Sequence, residues 1–258
     1  MNHVDKKRGF TIIELMLAMT FVSVLLIAIA MTVIQMGKIY NRGLMLKEVN
    51  ESARLLASDL QRNIASSNPF SIDPDVGDLY EDVVVESYYL PMKSGTKEYG
   101  GRLCLGRYSY IWNYGKYIND STIIKLNSYS DESGKIINFV KIYDPSAIYC
   151  TTSSNKQIMY HATNDEEPIE LIGSGDYDLS IHDFKILSLD TDGDTRTGQK
   201  IYNITFVIGT NDQIAIDYQL GVDAKCKTPS EIGDDHTYCS INKFSIVARS
   251  GSSVESNW

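Results

Sequence analysis

Asp190, Asp192 and Asp194 occupy alternate positions of the stretch DTDGDTRTG. Carboxylates so spaced are hard oxygen ligands, and they resemble the opening of a calcium loop. The rest of such a loop is missing. The sixth position from Asp190 is Thr195 where a glycine is needed, and the twelfth is Ile201 where a glutamate is needed. Asp192-Gly193 is equally a hairpin signal. A turn is therefore the expected reading, with calcium as the alternative, and no other cofactor is implied. His182 and Asp183 are adjacent in a strand-like stretch, so their side chains point to opposite faces and form no dyad. The other histidines, His3, His161 and His236, are isolated. There is no Gly-x-Ser-x-Gly, no P-loop and no dinucleotide fingerprint. No enzyme activity is expected, and no small-molecule substrate is evident.

The four cysteines are Cys104, Cys150, Cys226 and Cys239. None forms a Cys-x-x-Cys pair and no histidine lies at zinc-ligand spacing, which argues against a metal knuckle. All four follow the apolar N-terminal run, as two disulfides in an oxidising compartment would. Three pairings exist. The sequential one, Cys104–Cys150 and Cys226–Cys239, closes the shorter loops and is preferred on chain entropy. Four buried thiols are the alternative.

The remaining chemistry is at the N-terminus. In KKRGFTIIEL, three cations (Lys6, Lys7, Arg8) lead into Gly9, then Phe10, and Glu14 follows four residues later. From Leu15 to Ile34 no charge occurs. Twenty helical residues rise about 30 Å, enough to cross the hydrocarbon core of a bilayer. The cation cluster orients the N-terminus to the cytoplasm and the rest of the chain outside it. A cleaved secretory signal fits poorly, because the small-residue site Ala28-Ile29-Ala30 lies inside the apolar run and not after it. A plain signal anchor explains the run but not Glu14 or the abrupt Gly-Phe junction.

KKRG followed by FTIIEL resembles the leader of type IV pilins and type II secretion pseudopilins. The resemblance lies in a basic leader ending in glycine, then an aromatic, then Thr-Ile-Ile-Glu and an apolar helix. It implies removal of residues 1–9 by a prepilin peptidase after Gly9. It also implies N-methylation of Phe10 and a role for Glu14 in assembly, pairing with the Phe10 amine of a neighbouring subunit. An unpaired buried charge costs several kcal/mol, whereas a paired one can be retained and set register. Snorkelling of Glu14 to the interface is the simpler alternative. The stretch ARLLASDLQRNIASSNP further resembles the helix end of minor pilins and pseudopilins. Many major pilins carry a proline where this chain has Met31.

The elements that would position these residues can be read directly. No proline occurs between Gly9 and Pro69. Val49, Ala53, Leu56, Leu60 and Ile64 make one apolar helical face, while Lys47, Glu48, Glu51, Arg54, Asp59 and Arg62 fall off it. One helix is expected from Phe10 to about Ser66, about 85 Å long, ended by Pro69. Its segment 10–36 would be transmembrane and 37–66 amphipathic. Residues 67–258 change to period-two patterns and turn clusters. Strands are expected at Val83–Tyr89, Cys104–Trp112, Ile136–Tyr143, Glu170–Ile172, Leu179–Leu189, Ile201–Gly209, Ile214–Leu220 and Cys239–Ala248. Turns are expected at Lys93–Gly101, Ser130–Gly134, Asn164–Glu167, Asp190–Gly198 and Thr228–Asp235. Leu179–Leu189 and Ile201–Gly209 form the clearest hairpin. Tyr108, Tyr110, Trp112 and Tyr114 share one strand face. Packing in the core is the expected reading of that row, and an exposed sugar-binding surface the alternative.

The expected fold is α+β, a lollipop of one long helix on an antiparallel sheet head. Net charge is −9, with no basic block after Arg8, so nucleic acid and anionic membrane surfaces are poor partners for the head. The resemblance implies a minor pilin or pseudopilin in the plasma (inner) membrane, its head extracytoplasmic, later built into a surface pilus or pseudopilus. Its partners would be the prepilin peptidase, the membrane and other pilin subunits. A membrane-anchored extracytoplasmic ligand-binding protein is the second reading.

Overall fold

The computed structural model describes residues 9–70, 72, 87–94, 97–119, 125–128, 131–145, 149, 157–160, 168–172, 178–189, 198–218, 224–227 and 239–251. Helix α1 runs Ile12–Ser66 without interruption, about 80 Å at 1.5 Å per residue. It begins two residues after the expected start because Thr11 is the N-cap. Its hydroxyl accepts from the Glu14 N–H while the Glu14 carboxylate accepts from the Thr11 N–H, a reciprocal capping box. At the other end Ser67 is extended and Pro69 follows. The helix cannot continue through that proline.

The strands are β1 (Ser87–Ser94), β2 (Lys97–Leu105), β3 (Tyr108–Asn113), β4 (Lys125–Ser128), β5 (Asp131–Ile136), β6 (Phe139–Tyr143), β7 (Gln157–Tyr160), β8 (Ile169–Glu170), β9 (Leu179–Ser188), β10 (Ile201–Thr210), β11 (Ile216–Asp217), β12 (Lys225–Cys226) and β13 (Ile241–Arg249). One antiparallel sheet has the order β1-β2-β3-β6-β8 and a second the order β13-β10-β9. Two smaller sheets are β11-β12 and β5-β4-β7, with β4 and β7 parallel. The chain is thus α+β: one long N-terminal helix leading into a head of mainly antiparallel sheets.

Three local expectations are corrected. Cys104–Trp112 is not one strand: Gly106 has φ 78° and Gly106-Arg107 turn the chain from β2 into β3. That left-handed φ suits glycine. Lys93–Gly101 is mostly the β1–β2 hairpin rather than loop, with Gly100 and Gly101 inside β2. A Cβ at Gly100 would sit 2.1 Å from the Trp112 carbonyl oxygen, and one at Gly101 2.3 Å from the Trp112 ring. The glycines are there because Trp112 lies over them. Ser130–Gly134, expected as a turn, falls largely in β5. The β9–β10 hairpin has the expected strands, with Tyr202 opposite Ser188 and a bulge at Val207/Ile208.

The core is shared by helix and sheets. Val49, Ala53, Leu56, Leu60 and Ile64, the face legible in the sequence, are fully buried, and Met45 and Asn63 join them. They meet Leu103, Tyr110, Trp112 and Phe139 of one sheet and Phe184, Ile204, Phe206 and Ala248 of the other. Trp112 stacks on Phe139 at 5.2 Å and touches Phe184 at 4.5 Å, so one indole bridges the two sheets. Burial of each large apolar side chain contributes about 2 kcal/mol. The aromatic row is therefore core: Tyr110 and Trp112 are wholly buried and Tyr114 nearly so.

Candidate functional site

The helix divides at the edge of the head. Met45 is the first residue the head buries. Every described residue from Gly9 to Tyr40 is exposed, including Phe21, Leu25, Leu26, Ile27 and Ile34. No charge lies between Glu14 and Lys38. Those 23 residues rise about 35 Å, long enough for one bilayer crossing with some tilt. The hydroxyls in this half are satisfied within the helix. Thr20 donates to the Leu17 carbonyl (2.9 Å), Ser23 to Met19 (2.8 Å) and Thr32 to Ile29 (2.7 Å). A lipid environment requires that internal satisfaction. An apolar surface of this size is far beyond what a monomer leaves in water, so hydrocarbon or other helices must cover it. The length and composition are those of a single-pass membrane anchor.

At the lower end, Gly9 and Phe10 precede the cap in non-helical backbone, and Phe10 is 86% exposed. The Gly9–Phe10 bond is thus outside the helix and, among the described residues, uncovered. Glu14 turns back over Thr11. Its Oε2 accepts from the Thr11 N–H (2.9 Å) and from the Thr11 hydroxyl (2.8 Å). Both bonds end on one oxygen, and Oε1 has no protein partner among the described residues. The sequence placed Glu14 at the edge of the apolar run; it did not reveal that Thr11 is its partner within the chain.

At the upper end a polar cluster fixes the helix to the head. Asp59 accepts from the Tyr110 hydroxyl (2.7 Å), from Lys141 Nζ (2.9 Å) and from Arg62 Nη2 (3.0 Å). Lys141 also lies over the Tyr108 ring at 4.2 Å. Burial acts against the Asp59 carboxylate, but the bonds from Tyr110, Lys141 and Arg62 and the Lys141 charge outweigh it, so its pKa is lowered. Burial, and then the Asp59 carboxylate, push the Tyr110 phenol far above its ordinary range. Asp59 was expected off the buried face. It does lie beside the apolar stripe, but partners 51 and 82 residues away reach it there. Further links run from Gln61 to the Val247 carbonyl and from Asn242 to Asn50. Where the helix ends, Tyr202 both accepts from the Phe70 N–H (2.7 Å) and donates to the Phe70 carbonyl (2.8 Å), ring stacked on ring at 3.9 Å. These contacts hold the helix and head as one body.

Cys226 and Cys239 are disulfide-bonded, joining β12 to the chain just before β13. Cys104 is disulfide-bonded and buried in β2. Cys150 lies outside the described residues, as do Asp190, Asp192 and Asp194. No group of three metal-ligating side chains occurs among the described residues. His182 bonds the Thr210 carbonyl through Nε2 (3.1 Å) and the Tyr218 hydroxyl through Nδ1 (3.0 Å). Burial lowers its pKa to about 4, so it is neutral at physiological pH. Asp183 pairs with Lys185 (2.9 Å) and not with His182. This histidine is a packed structural group.

Comparison with family models, with curated proteins and with solved structures finds no match.

Proposed function

We propose that this chain is a filament subunit, a minor pilin or pseudopilin of the type IV pilus and type II secretion class. It would be held in the inner membrane by α1 with its head outside the cytoplasm. The observation that carries the reading is the uncovered apolar half of α1, rigidly continuous with a head-bound half. A filament of packed helices would cover that half once it leaves the lipid. The leader motif at Gly9–Phe10 supports the reading, because the bond sits in exposed, non-helical backbone where a peptidase can reach it. Glu14 supports it as well: with Oε2 spent on Thr11, Oε1 remains to meet the Phe10 amine of a neighbour.

The cells' sheared surface filaments test the proposal. Wild-type chain is expected in that fraction. Glu14→Ala chain is expected to be cleaved normally and to accumulate in the membrane with at least tenfold less in the filaments. Equal incorporation of both would remove Glu14 as the register device. Absence of the wild-type chain from every filament fraction would contradict the assembly role.

A further inference from the structure

A cleft of about 260 Å³ opens where the helix emerges beneath the head. Arg42 and Leu46 of α1 form one wall. Lys225, the Cys226–Cys239 disulfide and Ser240 form the other. Two cations line it, and no carboxylate is among the described lining residues. Ser240 is 4% exposed, and its hydroxyl oxygen is buried with no hydrogen-bond partner. An unspent donor beside two cations fits an anionic oxygen ligand. The disulfide fixes Lys225 opposite Arg42, since β12 is only two residues long and would otherwise be weakly held.

Position identifies the ligand. The uncharged run of α1 ends at Lys38, which marks the edge of the hydrocarbon. Arg42 lies four residues further, about 6 Å along the axis. The headgroup layer on each face of a bilayer is about 5–8 Å deep, so the cleft opens at the level of the lipid phosphates. We infer that the cleft formed by Arg42, Lys225 and Ser240 binds the phosphate headgroup of an anionic phospholipid in the adjoining leaflet. This rests on α1 being a membrane span. The net charge of −9 opposes membrane attraction for the molecule as a whole, and Asp217 faces Lys225 across β11–β12, but screening confines charge effects to about 10 Å and both charged side chains among the described lining residues are cations. The contact would hold the head upright on the membrane before assembly and release as the subunit leaves the lipid.

The test uses the full chain in nanodiscs of equal phosphatidylglycerol and phosphatidylcholine, with native mass spectrometry counting the lipids retained. Each cation near an anionic surface contributes about a fivefold preference, so phosphatidylglycerol should be retained over phosphatidylcholine by fivefold or more. R42Q/K225Q should bring the ratio close to one, and the charge-conserving R42K/K225R should keep it. Equal retention by the wild-type chain, or an unchanged ratio in R42Q/K225Q, overturns the inference. So does a melting-temperature rise with millimolar inorganic phosphate that equals the rise with phosphatidylglycerol, because the site would then serve a soluble anion. Loss of self-association in R42Q/K225Q without any lipid preference would assign the cleft to a second copy and likewise overturn it. Carbonate extraction separates this inference from the premise: a chain washed from the bilayer refutes both, whereas an inserted chain without lipid preference refutes the inference alone.

Discussion

Replacing Asp59 with alanine should loosen the helix from the head about as much as truncating a fully buried leucine of the same helix. The substitution removes three hydrogen bonds at 2.7, 2.9 and 3.0 Å. It also leaves the buried Tyr110 hydroxyl and the Lys141 ammonium, whose side chain is 10% exposed, without that carboxylate. Breaking a buried pair by removing one partner costs about 3–5 kcal/mol. Asp59 keeps a 13% exposed edge, which lets water relieve part of that cost, so about 3 kcal/mol is expected. For a chain of this size that is a fall of about 6–12 °C in melting temperature. The full chain in detergent micelles can be followed by Trp112 fluorescence, because this indole is wholly buried between the sheets. Lys141→Ala and the double variant complete a cycle, with a coupling of about 1–3 kcal/mol expected. The sign with pH follows from the lowered carboxyl pKa. Asp59 contributes its full stability above the unfolded carboxyl range near pH 4, and loses it as pH falls through the lower folded value. A change below 1 kcal/mol for Asp59→Ala, or zero coupling to Lys141, would refute the lock.

Other substitutions separate the two halves of the helix and the two kinds of site. Leu56→Ala should cost about 2–5 kcal/mol, whereas its neighbour Leu55→Ala, 64% exposed, should stay within about 0.5 kcal/mol; both are read by urea unfolding. Thr11→Ala should cost the helix start about 1 kcal/mol, visible as faster exchange of the Glu14 and Leu15 amides, which bond to Thr11, with no change in the head. Gly101→Ala should lower the melting temperature and disturb Trp112 fluorescence, since its Cβ meets the indole at 2.3 Å. His182 is held neutral, with its pKa lowered from 6.5 to about 4. Its stabilisation is complete above pH 6.5 and is lost as pH falls from there to 4, up to about 3 kcal/mol. His182→Gln should flatten that part of the stability curve.

The long helix was legible because two simple signals coincide in it: an unbroken apolar run, and then a stripe of period 3.6 at Val49–Ile64. Its buried face holds every residue of that stripe, with Met45 and Asn63 added. The β9–β10 hairpin was legible from period-two alternation on both sides of a turn cluster. Other features depended on partners far away in the chain. Gly100 and Gly101 looked like turn residues, and their role in β2 becomes visible only once Trp112 is laid across them. Leu105-Gly106-Arg107 carried the signal for the β2–β3 turn, but the apolar residues around it masked the break. Asp59 sat among ordinary helix-surface charges until Tyr110 and Lys141 reached it. The basic cleft was hidden by a strongly negative total charge, because Arg42 and Lys225 are 183 positions apart and meet only in the fold. The N-terminal motif is the opposite case, local enough to be read whole, with Thr11 as the one member whose role the spacing did not disclose.

The filament-subunit reading turns on the processing of that motif, and intact-mass spectrometry of the chain purified from its native membrane measures it directly. The account predicts a single species beginning at Phe10, lighter by residues 1–9 and heavier by one methyl group. A chain that keeps residues 1–9, or one cut after Ala30 within the apolar run, would contradict it.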